Sequence, residues 1–484
     1  MFIGRVYRRS IRWRLRVGRV STPLSARNPD EKEDEMKSGR TQAIVVGASM
    51  AGMLAARVLA NIFERVIILE RDGLPEGPEL RPGVPQARHL HALLPRGKRI
   101  LEKHFPGITY ELEAAGAEIL DVANDIAWLT PQGWGVRFAS EFEAVASTRA
   151  LLDHVVRVRL KQVPNIEIMQ QSEVTGFVGQ VQRVEGVKVR SRDASDSDRV
   201  KVLKSDLVVV ATGRNSAVPG WLHQIGLPEL ETTYVNAHIG YSSLMFRRPA
   251  HFPETWRALF IQAAPPAAKR AGILFPVEGN RWLVTLQGGD RDYPPLDNDG
   301  FVEFARSLRS PSLHRAIKDA EPLGSIAGYR STENRLFHYE RLKQWPECLF
   351  VLGDTVCAFN PVYGQGMTAA ALAAEDLGKC LRKRRERLDG VARNFQRRLA
   401  KINSAPWMLA TSEDLRYPGT EGEPASKSTK QIHKYMDNVL RSATRSVPVR
   451  RAFLEVQGML KGPGAIFRPS VVMRVAKQAL LSNA

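Results

Sequence analysis

Residues 42–70 constrain the fold of this chain more than any other stretch. Gln42-Ala43-Ile44-Val45-Val46-Gly47 reads as a short buried strand, and Met50, Leu54, Val58 and Ile62 then recur at helical i, i+4 spacing. A second apolar run over 65–69 closes on Glu70. Strand, helix and strand of this size make a βαβ unit, which points to an α/β chain with a parallel sheet. Gly47-Ala48-Ser49-Met50-Ala51-Gly52 sits between the first strand and the helix. Gly47 permits the tight turn there, Gly52 lets helix and sheet pack closely, and the first helical amides face a phosphate. Ser49 replaces the usual middle glycine; it is small enough for close approach, and its hydroxyl can donate to a phosphate. Glu70 is placed to hydrogen-bond ribose hydroxyls and disfavours a 2′-phosphate. Gly47, Ser49, Met50, Ala51, Gly52, Glu70 and the adjacent Arg71 therefore form a candidate dinucleotide site, with FAD and NAD both open.

A second glycine-rich segment resolves that choice. Gly353-Asp354-Thr355-Val356-Cys357-Ala358-Phe359-Asn360-Pro361-Val362-Tyr363-Gly364-Gln365-Gly366-Met367 follows a buried strand near 348–352 and opens an alanine-rich helix. Asp354 can accept a ribityl hydroxyl, Gly364 and Gly366 let backbone approach a flat ring, and the helix from Met367 turns its positive end toward that ring. An NAD enzyme has no use for such a loop. FAD is the cofactor expected, with Asp354, Gly364, Gln365, Gly366 and Met367 at its ring end.

The 484 residues exceed one typical domain. The expected architecture is a Rossmann-like FAD-binding lobe with an inserted sheet-based substrate lobe and C-terminal helices. The boundaries expected are a basic tail over 1–40, the FAD lobe over 41–230 and 341–385, the substrate lobe over 231–340 and a helical region over 386–484. A helix is expected over 148–161, strands near 165–169, 174–178, 183–190, 203–211, 241–247 and 281–287, and a helical patch near 299–318. Helix is expected again over 366–401, with three short helices after 426 broken at Pro448 and near Gly462. Residues 72–96, rich in Gly and Pro, read as a long loop. Val174, at the start of a β-meander, joins the cofactor-binding set.

The formal charge is +19. Residues 1–27 carry eight arginines and no acid, so the leader reads as a transit sequence, a dispensable tail or residues ahead of a start at Met36. Residues 1–35 account for only four of those charges, so +15 remains. No nucleic-acid module is visible, which leaves an anionic cofactor, substrate or membrane as partner. The basic stretch 379–401 and the mixed last helix (Val471, Val472, Arg474, Val475, Lys477, Leu480, Leu481) could lie on a membrane surface; a solvated charged face is the plainer alternative. No run of roughly 18 apolar residues occurs. Cys348, Cys357 and Cys380 lack metal-ligand or redox-pair spacing, so no metal and a cytoplasmic location are expected.

Taken together the two loops resemble the p-hydroxybenzoate hydroxylase-like FAD-dependent monooxygenases over about residues 41–385. Within that group the chain is most similar to flavin epoxidases of polyether biosynthesis, through Gly83-Val84-Pro85-Gln86-Ala87-Arg88-His89, Ser147-Thr148-Arg149-Ala150-Leu151-Leu152-Asp153, Ala211-Thr212-Gly213-Arg214, Phe359-Asn360-Pro361-Val362-Tyr363-Gly364 and Pro406-Trp407-Met408-Leu409-Ala410-Thr411-Ser412. The resemblance implies that Arg149 meets the FAD pyrophosphate or ribityl chain and that Arg88 lies near the cofactor; surface ion pairs are the alternative. It also implies reduction by NAD(P)H, reaction with O2 to a flavin C4a-hydroperoxide, and oxygen transfer to a hydrophobic small molecule by epoxidation or hydroxylation. Thr212 stands where aromatic hydroxylases carry Asp, which bears on the mode of reduction. A flavin reductase or redox-neutral cyclase acting on an isoprenoid or polyketide is the competing class. The Trp-x-Trp-x-Ile-Pro sequence of flavin halogenases is absent.

No base stands out, so no catalytic residue is assigned, which favours an alkene over a phenol. His89, His91 and Tyr363 are the proton-bearing candidates; His89 and Tyr363 are also candidate substrate-pocket residues, Tyr363 expected to pack against the ring or line the pocket rather than donate a proton, with a structural role as the alternative for the two histidines. Tyr241, Met245, Phe275 and Trp282 are candidate pocket residues from the inserted sheet, with ordinary core packing as the alternative for each. Oligomeric state is left open.

Overall fold

The computed structural model describes residues 40–193, 199–383 and 388–483. The Arg-rich leader, with the rest of the 1–40 tail short of Arg40, and Arg384, Arg385 and Arg387 of the basic stretch lie outside the described residues.

Five parallel strands run in the order Leu349–Val351, Leu207–Val210, Gln42–Val46, Arg65–Leu69 and Ile166–Met169. Leu-Val-Val-Val and Leu-Phe-Val are buried at every position, the unbroken apolar pattern of strands covered on both faces. Strand order reverses beside Gln42–Val46. Crevices for ligands open at the carboxyl ends of such strands, and Gly47 and Ala211 both lie there. The strand expected over 203–211 is two elements. Val200–Lys204 belongs to an antiparallel meander with Arg183–Ser191 and Ser172–Gln180, whereas Leu207–Val210 enters the parallel sheet. Asp206 separates them, its carboxylate accepting the Thr41 and Gln42 amides at 2.9 and 3.0 Å and so starting the central strand.

A seven-stranded sheet runs in the order Pro322–Tyr329, Gly240–Arg247, Arg281–Gly288, Arg270–Val277, Ala258–Ile261, Ile126–Thr130 and Gly133–Trp134. The last two strands precede residue 231, so the expected lobe boundary cuts through one sheet. Ile126–Thr130 pairs in parallel with Ala258–Ile261, a partner more than a hundred residues away that no local pattern announces. Alternation along each strand sorts two faces. Leu244, Phe246, Trp282, Val284 and Leu286 face the helices Asn298–Arg306 and Ser312–Ile317 through Phe301, Phe304 and Leu313. Tyr241, Ser243, Thr285 and Gln287 occupy the opposite, inner face, in the rungs Tyr241–Gln287 and Ser243–Thr285.

The helix Arg149–Lys161 is capped by the Thr148 hydroxyl, which accepts the Leu151 amide. Gly366–Lys383 packs against Met50–Leu59; a Cβ on Gly378 would stand 2.5 Å from Val58 Cγ1. Val391–Asp414 follows it. Of the terminal helices Lys427–Ser442, Val447–Gln457 and Pro469–Asn483, the second carries Pro448. That proline does not break the helix: it sits in the first turn, where a missing N–H costs nothing. No helix among the described residues is long and apolar enough to cross a membrane.

Candidate flavin site

A groove of about 570 Å³ lies at the reversal point of the parallel sheet and joins the two glycine-rich loops. At one end Gly47 turns with φ +103°, and a Cβ there would stand 2.5 Å from the Ala211 carbonyl oxygen. Gly52 does not line the groove; its missing side chain makes room for the Gly47 carbonyl, 1.8 Å from where a Cβ would fall. The helix Met50–Leu59 has no side-chain cap on its first amides and no acid in its first turn. Its positive end and free amides are therefore left for an anion. Arg149, almost fully buried, reaches the same point: Nη2 donates to Ser49 Oγ at 2.8 Å and Nε pairs with Asp153 at 2.7 Å. Both Ser49 and Arg149 line the groove, with Met50, Ala51, Arg71 and Val174.

Glu70 closes the far end. Its oxygens accept the Ala48 amide at 2.8 Å and the Asp72 amide at 3.1 Å, and Arg81 Nη1 lies 2.8 Å away. Burial alone would raise its pKa, but Arg81 and the two amides outweigh burial and hold it below the usual range. A carboxylate accepts about four hydrogen bonds; three are used, so one remains for a ribose hydroxyl. Arg81 was not anticipated. It is buried and groove-lining, whereas Arg88 ends a 3-10 turn, is exposed and does not line the groove. The only available signal was an arginine inside the Pro- and Gly-rich loop, and three, Arg81, Arg88 and Arg96, fitted it.

At the ring end, Asp354, Gly364, Gly366 and Met367 line the groove. Burial raises the Asp354 pKa while Arg214, Arg149 and Arg335 pull it down. Gly364 adopts φ +66° after the single turn Pro361–Tyr363. Gln365 lies beneath the groove wall, and neither atom of its buried amide is hydrogen-bonded, which leaves a donor and an acceptor for the polar edge of a flavin ring. Bare helix amides, a cationic arginine, a groove-lining carboxylate with acceptor capacity to spare and glycines at the other loop together fit FAD. Thr212 donates to Ser216 Oγ at 2.6 Å, and both line the groove.

The candidate pocket residues divide. Trp282 faces the helices and packs edge-on against Phe252 at 4.9 Å, and Phe275 sits among Leu120, Ile126 and Ala258; neither lines the groove or the neighbouring cavity. Tyr363 does not line the groove: its phenol donates to Asp414 Oδ1 at 2.7 Å. Asp414, unanticipated at the end of Val391–Asp414, also accepts Asn360 Nδ2 at 3.1 Å and Asn334 Nδ2 at 2.6 Å. Tyr241 donates to Asn360 Oδ1 at 2.7 Å and lines a second cavity of about 270 Å³ with Tyr293, Leu296 and Tyr329. Tyr329 lines both spaces. His91 lines the groove and donates from Nδ1 to the His89 carbonyl at 2.9 Å; burial and Arg149 lower its pKa to about 3. His89 lies just behind, with its ring 5.4 Å from that of Tyr329, and burial and Arg88 lower its pKa to about 4. No group of three or more metal-ligating side chains occurs among the described residues.

Comparison with known proteins agrees with this geometry. Residues 40–386 match the FAD binding domain family. Protein Rv3254 of Mycobacterium tuberculosis is 31% identical over 422 residues, covering 86% of this chain and 89% of that one. Among solved structures, p-nitrophenol 4-monooxygenase PnpA from Pseudomonas putida DLL-E4 is 17% identical with TM-score 0.62, covering 88% of this chain and 99% of its own. PqsL, a probable FAD-dependent monooxygenase from Pseudomonas aeruginosa, is 15% identical with TM-score 0.57 over 77% and 95%. The flavin-dependent brominase Bmp2 is 12% identical with TM-score 0.64 over 92% and 100%. At these identities the structures speak for the fold alone. The chain belongs to the FAD-binding domain family and is an FAD-dependent oxidoreductase with the flavoenzyme fold shared by monooxygenases and halogenases.

Proposed function

We propose that this protein is an FAD-dependent monooxygenase that transfers one oxygen atom from O2 to a hydrophobic small molecule, by epoxidation in the manner of the polyether-pathway enzymes it resembles, with NAD(P)H as reductant. Bound FAD supplies the hydride acceptance and the oxygen-transfer chemistry. The protein contributes binding, orientation and exclusion of water. The amides of Met50 and Ala51 and the Arg149 guanidinium hold the pyrophosphate, Glu70 the adenosine ribose and Asp354 the ribityl chain. The start of Gly366–Lys383 sets a positive end against the ring.

The observation that carries the epoxidation reading is the proton inventory around the ring end. His91 and His89 are held near 3 and 4, far from a base matched to neutral pH. Asp414, raised to about 7, does not line the groove and has both oxygens bonded to Tyr363, Asn360 and Asn334. Such surroundings suit an alkene, which needs no deprotonation, better than a phenol. The test is turnover of the FAD-loaded enzyme with NADH or NADPH under isotope-labelled dioxygen, on paired alkenes and phenols. One labelled oxygen per alkene product is expected. Substrate conversion that continues without oxygen would replace this reading with a reductase or a redox-neutral cyclase.

A further inference from the structure

The helix Pro469–Asn483 presents three strips, set by the turn of about 100° between successive residues. Val471 and Val475, four apart, point inward and pack with Val439, Leu440, Phe453 and Leu454. Val472, Ala476 and Leu480 recur at the same spacing on a neighbouring strip, and Met473, seven residues before Leu480, borders it. All four are exposed, Met473 by 66% and Leu480 by 73%. Arg474 and Lys477, three apart, form the third strip, on the far side of Met473. Just before the helix Phe467 is also exposed, its ring stacked 4.9 Å from that of Tyr435, whose hydroxyl donates to the Ile466 carbonyl at 2.7 Å. Turn and helix are thus held from beneath while their outer side stays apolar.

The charge around this face has one sign. No Asp or Glu occurs after Glu455. Among the described residues, the ion pairs made beyond residue 425 join Arg416 to Asp437, Arg451 to Glu141 and Lys461 to Glu455. Arg468, Arg474 and Lys477, all exposed, take part in none of them. A contiguous exposed apolar strip rimmed by charge marks an interaction surface rather than a solvated face. A second copy of the chain fits it poorly, because a two-fold contact would set the basic strips against each other with no acid on either helix to pair them. An exposed apolar strip bordered by cations, on a helix whose third side is packed on the protein, is the arrangement of a helix lying in a membrane interface.

We propose that the outer side of Pro469–Asn483 docks on an anionic lipid bilayer. Val472, Met473, Ala476 and Leu480 enter the boundary between headgroups and acyl chains, and Arg474 and Lys477 meet the headgroup phosphates and carboxylates. The helix has 15 residues, too few to cross a bilayer, so it lies on the surface. The docking is independent of the proposed reaction; it places the enzyme where a hydrophobic substrate is concentrated.

Co-sedimentation of the FAD-loaded full chain with vesicles of phosphatidylcholine containing about 30% phosphatidylserine tests it. Binding is expected, and it should weaken on pure phosphatidylcholine and in about 0.5 M salt. Met473→Glu combined with Leu480→Glu should bind at least about tenfold more weakly. Arg474→Gln combined with Lys477→Gln should bind about thirtyfold more weakly. Val202→Glu, at an exposed position of the antiparallel meander, should bind as the wild type does. All of these side chains are exposed, and flavin content confirms that each variant is folded. A polarity-sensitive fluorophore on Leu480→Cys should shift to the blue on vesicles, whereas one on Val202→Cys should not; the three native cysteines are buried. No sedimentation with anionic vesicles, equal binding to neutral ones, or binding that Met473→Glu with Leu480→Glu leaves unchanged overturns the proposal. So does a wild-type dimer in vesicle-free solution that the same pair of substitutions converts to monomer, which assigns the face to a second copy. None of these readouts involves turnover, so their failure is distinct from failure of the oxygen-transfer test.

Discussion

Asp414 gives the sharpest test of the physical reasoning. It ends the helix Val391–Asp414 beneath the ring-end loop, fully buried, and receives the Tyr363 phenol and the Asn360 and Asn334 amides. Burial pushes its pKa from 3.8 up to about 7, against the downward pull of those donors. Between these values the folded chain keeps a proton that the unfolded chain has lost. The contribution to stability is thus fully present below about pH 4 and is lost as pH rises through about 7. A gap of that width corresponds to about 4 kcal/mol. Asp414→Asn fixes a neutral group of the same shape and removes the titration. Equilibrium denaturation of both proteins, followed by tryptophan fluorescence from pH 4 to 8, isolates the effect, because every other group titrates in both. The stability difference, wild type minus variant, should fall by about 4 kcal/mol across that range. Profiles that stay parallel within about 0.5 kcal/mol would refute the reasoning and place the Asp414 pKa at its ordinary value.

Other perturbations follow from the same structure. Arg81→Met should cost about 3–5 kcal/mol and most of the bound FAD, because it strands the buried Glu70 carboxylate. Glu70 is held below its ordinary range, so this penalty should be full at neutral pH and shrink in acid, as chemical denaturation at pH 7 and pH 3.5 would show. Gly47→Ala places a Cβ 2.5 Å from the Ala211 carbonyl at φ +103°, a strain of about 1–3 kcal/mol; FAD content should collapse while the far-ultraviolet circular dichroism persists. Arg450 is fully buried over Trp128 and Phe453, at 4.9 and 5.5 Å, and no carboxylate pairs with it among the described residues. Arg450→Met should therefore leave the melting temperature unchanged or raise it, and a fall equivalent to more than about 2 kcal/mol would contradict the view that its ring contacts do not repay desolvation.

The readable parts of the fold are those whose cause is local. Leu207–Val210 and residues 43–46 are apolar and buried at every position because both faces are covered, and the glycine loop between strand and helix has one backbone solution. The errors share a different cause. The strand expected over 203–211 is divided at Asp206, because that carboxylate is needed by the amides of Thr41 and Gln42, some 165 residues away. The strand Ile126–Thr130 joins the inserted sheet through a pairing that leaves no periodicity of its own.

The same division runs through the site. Main-chain roles could be assigned from spacing, since Gly47 and Gly364 adopt positive φ and are required by backbone geometry whatever side chains surround them. Side-chain roles depend on what stands opposite. Arg81 and Arg88 lie in one loop with the same chemistry, and only the fold shows that Arg81 meets Glu70 while Arg88 faces solvent. Tyr363 sits inside the ring-end motif, yet its phenol turns away because Asp414, fifty-one residues later, offers a buried acceptor. Asn360 then joins Asp414 to Tyr241 on the inserted sheet, so one hydrogen-bonded group holds the ring-end loop, a C-terminal helix and the substrate-side wall in register. Removing any one member strands buried polar atoms in the other two elements, which is why its energetic signature should appear in cofactor retention as well as in stability.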